Sequence, residues 1–253
     1  MPCLWLKSAN VPSRMIDIRL LGRTIVAIWI LSFTLITKSK AQSIPQIGRA
    51  AFQKLEIVET SRKVVVDGIL NDSAWQLASF YGNFQQYYPY DTSLSSSKTW
   101  FSLCHDDKFI YAAMKCDNRN PQKPFVVNNL KRDFSVTSHD GVVLSLSPFL
   151  DGQNGFSFGV TPFNAQREGA IENGGVFGVS TAWDQVWFSE TLITDSFWYA
   201  EMAIPLASIR FVPGAEKWGV NVSRIDLKNN EISNYHKVPR NFNFSTLVFA
   251  DTL

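Results

Sequence analysis

Apolar residues along this chain come in short runs, each closed by glycine, proline, asparagine or aspartate. The clearest are KVVVDG (63–68), TWFSLC (99–104), FIYAAMKC (109–116), GVVLSLSPF (141–149), GFSFGVTPF (155–163), QVWFSETLI (185–193), WYAEMAIP (198–205) and WGVNVSRIDL (218–227). They are rich in β-branched or aromatic residues, and the pattern predicts eight strands at least. Helical periodicity is confined to 72–78 and 206–209, enough for a turn or two each. Many short strands separated by turn residues predict an all-β fold, an antiparallel β-sandwich, jelly-roll or immunoglobulin-like, with one or two short helical turns.

The stretch VDGILNDSAW (66–75) has a mechanical reading. Val64 to Val66 finish a strand, Asp67-Gly68 turn the chain, and Asn71 or Asp72 caps a helical turn that drops Trp75 and Leu77 onto the sandwich. Trp75 reads as a buried plug, with ligand contact as the alternative. Cys104 and Cys116 fall on two strands joined by the turn His105 to Lys108. In that register they lie roughly 20 Å apart at ~3.3 Å per residue, too far for a disulfide. Two free, buried thiols are expected.

The first forty residues follow a different pattern. Lys7, Arg14, Arg19 and Arg23 precede an uncharged apolar run from Thr24 to Thr37, and Ser39 and Ala41 supply the small residues of a cleavage site. Residues 1–41 are expected to be a secretory signal peptide, 42–54 a polar lead-in and 55–253 the folded module. Removing 1–41 leaves 18 basic against 21 acidic residues. The basicity belongs to the leader, so the exported domain has no electrostatic footprint for nucleic acid. No other stretch is apolar enough to span a membrane. The remaining chain is long enough to bury a core without a metal or disulfide.

Taken in order, VDGILNDSAW, YGNFQQYYP, DDKFIYAAMKCDN, KRDFSVTSHDGVVLSLSPFLDGQNGFSFGV, WDQVWFSE, WYAEMAIPLASIRF and WGVNVSRIDLKNNE resemble carbohydrate-binding module family 9. The match runs from about Leu55 to the end, and is closest to the variant that opens exported bacterial proteins continuing into an outer-membrane-type β-barrel. The resemblance implies a β-sandwich that binds sugar without catalysis, with structural calcium in some members. It also implies location in the periplasm or at the outer membrane. The barrel is absent from this sequence, which makes a separate outer-membrane β-barrel a candidate partner. Family members that bind sugar clamp it between two tryptophans. Here Asn129–Asp133 stands where the first would be, Asp140 is kept but Val143 replaces the following acid, Gly159 and Thr161 replace an Arg-x-Asn, and Asn234-Tyr235 stands where the second tryptophan would be.

The residues themselves offer candidate sites. Val143, Ser145 and Ser147, then Ser157, Gly159 and Thr161, then Gln185, Trp187 and Ser189 form the small or polar sides of three strands. Sharing one face, they would make a shallow polar platform carrying Trp187; the alternative is a solvated outer face with one exposed aromatic. Trp183 would rim that face or anchor its turn. Arg132 and Asp133 offer paired hydrogen bonds to hydroxyls or an acidic ligand, or a local ion pair. The candidate carbohydrate-binding residues are therefore Trp187, Trp183, Tyr235, Arg132, Asp133 and Asp140, to which the tyrosines around Pro89 add an aromatic loop. Glu201 is expected to pair with Arg210 or Arg224. Asp106-Asp107, Asp117-Asn118 and 151–154 are the local acidic clusters, but their spacing suits turns better than calcium. No nucleophile or metalloprotease signature is present. Glycoside hydrolysis needs only two carboxylates and stays open, alongside the sugar-binding and barrel-partner readings.

Overall fold

The computed structural model describes residues 55–252, so the predicted leader and lead-in lie outside the described residues. In chain order the strands are β1 (Val58–Glu59), β2 (Gln85–Tyr88), β3 (Thr99–His105), β4 (Phe109–Asp117), β5 (Gly141–Ser147), β6 (Gly155–Val160), β7 (Gln166–Ile171), β8 (Val179–Ser180), β9 (Phe188–Ile193), β10 (Phe197–Pro205), β11 (Gly219–Asp226), β12 (Glu231–Asn234) and β13 (Asp251–Thr252). They form two sheets, β1-β3-β4-β10-β9 and β2-β12-β11-β5-β6-β7-β8, with β13 also pairing β11. Every pairing is antiparallel except β1 with β3. Alternate residues of both sheets, among them Phe101, Met114, Leu144, Phe158, Trp198 and Met202, meet in one core. Each such fully buried side chain contributes about 1.5–3 kcal/mol. The expected all-β sandwich is the observed fold. Among the described residues, no helix is long and apolar enough to cross a membrane.

Seven of the eight predicted runs form strands, and KVVVDG does not. Its Val65 N–H donates to the Asp72 carboxylate at 2.8 Å instead of to a neighbouring strand. The same bond diverts Asp72 from the cap it was expected to make on α1 (Ser73–Leu77). Val64, Val66 and Trp75 lie on the outer face of the smaller sheet, against Cys104, Tyr111, Ala113 and Ala203. Trp75 is the expected plug, whereas Leu77 points to solvent. Cys104 is opposite Tyr111 and Cys116 opposite Thr99, and both are free buried thiols.

The serine-rich loop after β2 has a structural role. Ser95 and Ser96 donate their hydroxyls, and Ser96 and Ser97 their backbone N–H groups, to the buried Glu231 carboxylate, which also accepts from Gln86. Burial alone would raise the Glu231 carboxyl; these donors outweigh it and hold it below its usual range. A lowered folded pKa stabilises above the unfolded value of 4.5, and that contribution is lost as pH falls through the folded value. Glu231→Gln is therefore expected to cost about 1.5–3 kcal/mol at pH 7. The deficit should narrow on acidification below pH 4.5 when urea unfolding is compared across pH.

Candidate functional site

The small and polar sides of β5 and β6 do share a face, since Val143 is opposite Gly159 and Ser145 opposite Ser157. It is the outer face of the larger sheet, and the chain itself roofs it. A Cβ on Gly159 would come within 3.4 Å of the Phe134 ring, and one on Gly155 within 3.0 Å of Leu247. Asn221 accepts the His236 N–H at 3.0 Å, and Val143, Ser145, Ser147 and Ser157 are all buried. The predicted exposed platform is thus corrected: glycine and serine form a close-packed floor under another layer. β9 lies in the opposite sheet, which separates Trp187 and Ser189 from that floor.

Trp187 does not stand free. It is 3% exposed, packs edge-on to Phe158 at 5.5 Å, and donates its indole N–H to Glu168 Oε2 at 3.1 Å. Trp183 is half-buried against Phe156, with ring centroids 4.8 Å apart. Tyr235 packs into the core beside Phe101 at 4.9 Å, and burial pushes its hydroxyl up to about 12. Asp140 is fully buried, accepting the Val126 N–H at 2.8 Å and the Leu227 N–H at 2.5 Å, so it ties two loops together. These four side chains face the interior, in place of the exposed contacts read from the sequence.

Arg132 pairs with Glu168 rather than with neighbouring Asp133. Its Nε donates to Glu168 Oε1 at 2.9 Å, Nη1 to Gln166 Oε1 at 3.1 Å and Nη2 to the Gln185 carbonyl at 2.6 Å. Asp133 is exposed, with φ of 61° and its N–H donating to the Gln166 carbonyl. Arg132 and Trp187 therefore meet on one carboxylate, Glu168, which sequence reasoning missed because β7 looked too polar to be a strand. Gln166 and Asn164 continue the network, donating to Ser189 Oγ at 2.9 Å and the Ser189 carbonyl at 2.9 Å. The Asn164 amide thereby covers a backbone carbonyl of β9, an edge strand of its sheet.

Beside this network runs a groove of about 410 Å³. Val64, Val66, Phe109 and Tyr111 line its apolar side, and Gln166, Ser189 and Glu190 its polar side. Phe188, 51% exposed, stands in it. An apolar wall facing amide, hydroxyl and carboxylate groups suits a ligand with apolar faces and hydroxyl edges.

Glu190 is directly opposite Glu201 across β9 and β10. Glu201, however, is fully buried. Its Oε2 accepts the N–H groups of Asp67 at 3.0 Å and Gly68 at 2.8 Å, and Oε1 accepts the Trp75 indole N–H at 2.7 Å. The VDGILNDSAW turn is thus a cage for a buried carboxylate, and the expected arginine partner is replaced by two amides and an indole. Burial raises the Glu201 carboxyl, with these donors opposing. Asp106 spends its carboxylate on the Lys108 and Phe109 N–H groups and the Tyr111 hydroxyl, and Asp151 spends its own on Gln153 and Asn154. These donors are the turn chemistry read from the sequence and do not fit a calcium shell; among the described residues no group of three or more His, Cys, Asp or Glu side chains forms a metal-binding arrangement.

No protein-family model matches the chain, and no curated protein is a significant match. Among solved structures it is similar to a protein from Bacteroides uniformis ATCC 8492 provisionally described as carbohydrate-binding, with 14% identity, a TM-score of 0.59, and coverage of 79% of this chain and 97% of that one. A carbohydrate-binding module family 9 domain from Caldicellulosiruptor kristjanssonii matches at 14% identity in complex with cellotriose, with a TM-score of 0.48 over 71% of this chain and 83% of that one. In complex with glucose, such a domain matches at 14% identity, with a TM-score of 0.49 over 74% of this chain and 93% of that one. The likeness to the Bacteroides uniformis protein establishes the fold, a two-sheet β-sandwich of the kind the sequence resemblance implied.

Proposed function

We propose that the chain is an exported, non-catalytic carbohydrate-binding β-sandwich that serves polysaccharide breakdown or uptake at the cell envelope, in the periplasm or at the outer membrane. The groove along β9 carries this reading, because it sets an exposed phenylalanine and an apolar wall against a row of hydrogen-bonding side chains. An aromatic face packs on the C–H face of a pyranose while polar neighbours bond its hydroxyls. The description of the Bacteroides uniformis protein of like fold supports it, as does the basic-then-apolar pattern of 1–41, read as a secretory leader.

A second reading, a protein-interaction domain for an outer-membrane barrel, is favoured by the apolar side chains of Phe177, Val176, Val248 and Phe242, all exposed. Isothermal titration of the full chain with cellotriose and xylotriose separates the two. Saturable binding is expected, weakened about tenfold by Phe188→Ala from lost stacking, with the oligosaccharides recovered intact. A folded chain that binds no glycan would favour the barrel partner. Cleaved oligosaccharide would restore the hydrolase reading and point to Glu190.

A further inference from the structure

The segment holding Trp75 covers only part of the outer face of the smaller sheet. On the same face, Trp100 of β3 is directly opposite Lys115 of β4, which is opposite Tyr199 of β10. Phe197 joins the row, 6.4 Å from Trp100 and 6.1 Å from Tyr199 between ring centroids. All four side chains are partly accessible. The Lys115 ammonium sits 4.3 Å from the Phe197 ring and 5.7 Å from the Trp100 ring. Gly82 permits this arrangement, since a Cβ there would press within 2.9 Å of the indole.

Beside Trp100 opens a cavity of about 200 Å³, with Asn83, Leu94, Ser95 and Lys98 among its walls. This is smaller than the pockets that hold drug-sized ligands and suits a single sugar ring. Lys98, immediately before β3, is exposed and lines the same cavity as Trp100. Neither Lys98 nor Lys115 is ion-paired among the described residues, although acids outnumber bases after residue 41. Lys98 lines the cavity and Lys115 lies on the aromatic rings beside it. Two ammonium groups without a carboxylate partner, close to an accessible indole, are complementary to an anion that also has an apolar face.

We propose that Trp100, Lys98 and Lys115 form a second, monosaccharide-sized site that takes an acidic sugar, a uronate unit of an oligosaccharide. The indole would pack on the C–H face of the ring, the ammonium groups would pair with the carboxylate, and Asn83 would bond a hydroxyl. This inference rests on the carbohydrate-binding reading but not on the β9 groove.

The test is titration of the full chain with trigalacturonate, with cellotriose as the uncharged control, followed by intrinsic tryptophan fluorescence. Trigalacturonate is expected to bind and perturb the fluorescence, with affinity falling as salt is raised. Lys98→Ala/Lys115→Ala should weaken binding at least tenfold, and Trp100→Ala should abolish it, while Phe188→Ala leaves it unchanged. The lysine pair keeps the test decisive if Trp100→Ala fails to fold. Trigalacturonate binding that ignores the lysine substitutions, or is lost with Phe188→Ala, overturns the site. Cellotriose binding without trigalacturonate binding overturns it while the carbohydrate reading stands. Binding of neither probe overturns both.

Discussion

Glu201→Ala is expected to lower the unfolding free energy by about 3–5 kcal/mol, because it leaves three buried donors without an acceptor, each costing about 1–3 kcal/mol. Global stability is about 5–15 kcal/mol for a domain, so the variant should approach unfolding in mild urea. The loss follows from the cage. Without the carboxylate, the Asp67 and Gly68 N–H groups and the Trp75 indole N–H stay buried without an acceptor. Gly68 lies close against the Thr191 backbone, where a Cβ would fall 2.9 Å from it, and its φ of 78° suits glycine. Glu201→Gln should cost less than alanine, since its oxygen can still accept both backbone amides. Its NH₂ would then oppose the indole N–H at the 2.7 Å contact. Adding Trp75→Phe removes that opposition, so the double variant should lose less than the sum of the singles. Urea unfolding with constant slope is the measurement; additive losses would refute the shared cage.

The cage also shows where sequence reading stops. Glu201 was visible as a carboxylate among aromatic residues, which calls for a neutralising partner, and an arginine is the partner a sequence can display. Backbone amides carry no letter of their own. The strands followed well from periodicity where one side of the run is apolar, as in β3, β4, β5, β6, β10 and β11. β7 (QREGAI) was missed because Arg167, Glu168 and Gly169 interrupt the apolar pattern, and β2 and β12 because they are short and serve the Glu231 clamp. Alternation divides a strand into two sides but does not say what covers either. The polar sides of β5 and β6 were grouped correctly, yet their roof comes from Phe134 and Leu247, and that layer is set by long-range packing. Trp187 and Ser189 were read as one side of a strand, but Trp187 precedes β9, β9 joins the other sheet, and both side chains are buried. Arg132 and Trp187 converge on Glu168 through contacts 36 and 19 residues apart in sequence, with no local motif to announce them.

Arg224→Met should be comparably damaging, and its pH dependence distinguishes lost charge from lost packing. Arg224 is fully buried between the sheets, 4.8 Å above the Trp198 ring, with Nη2 3.9 Å from Asp226 Oδ2. Burial opposes its charge, but Cys116, Asp226 and Asp140 around it raise its pKa. Asp140 and Asp117 are both raised by burial, and Arg224 lowers each of them. Methionine fills similar space but withdraws that charge, leaving Lys228 near the acids and Arg119 near Asp117. The expected loss at pH 7 is about 3–5 kcal/mol. The folded-state pKa values of the aspartates then climb further above the unfolded 3.8. Their ionised forms destabilise the fold above that window, so the deficit shrinks as pH falls toward 3.8 and the carboxylates take up protons. Adding Asp226→Asn should restore part of the stability at pH 7 and flatten the pH dependence. A deficit that is the same at pH 4 and pH 7 would assign Arg224 to packing against Trp198, with its charge contributing little.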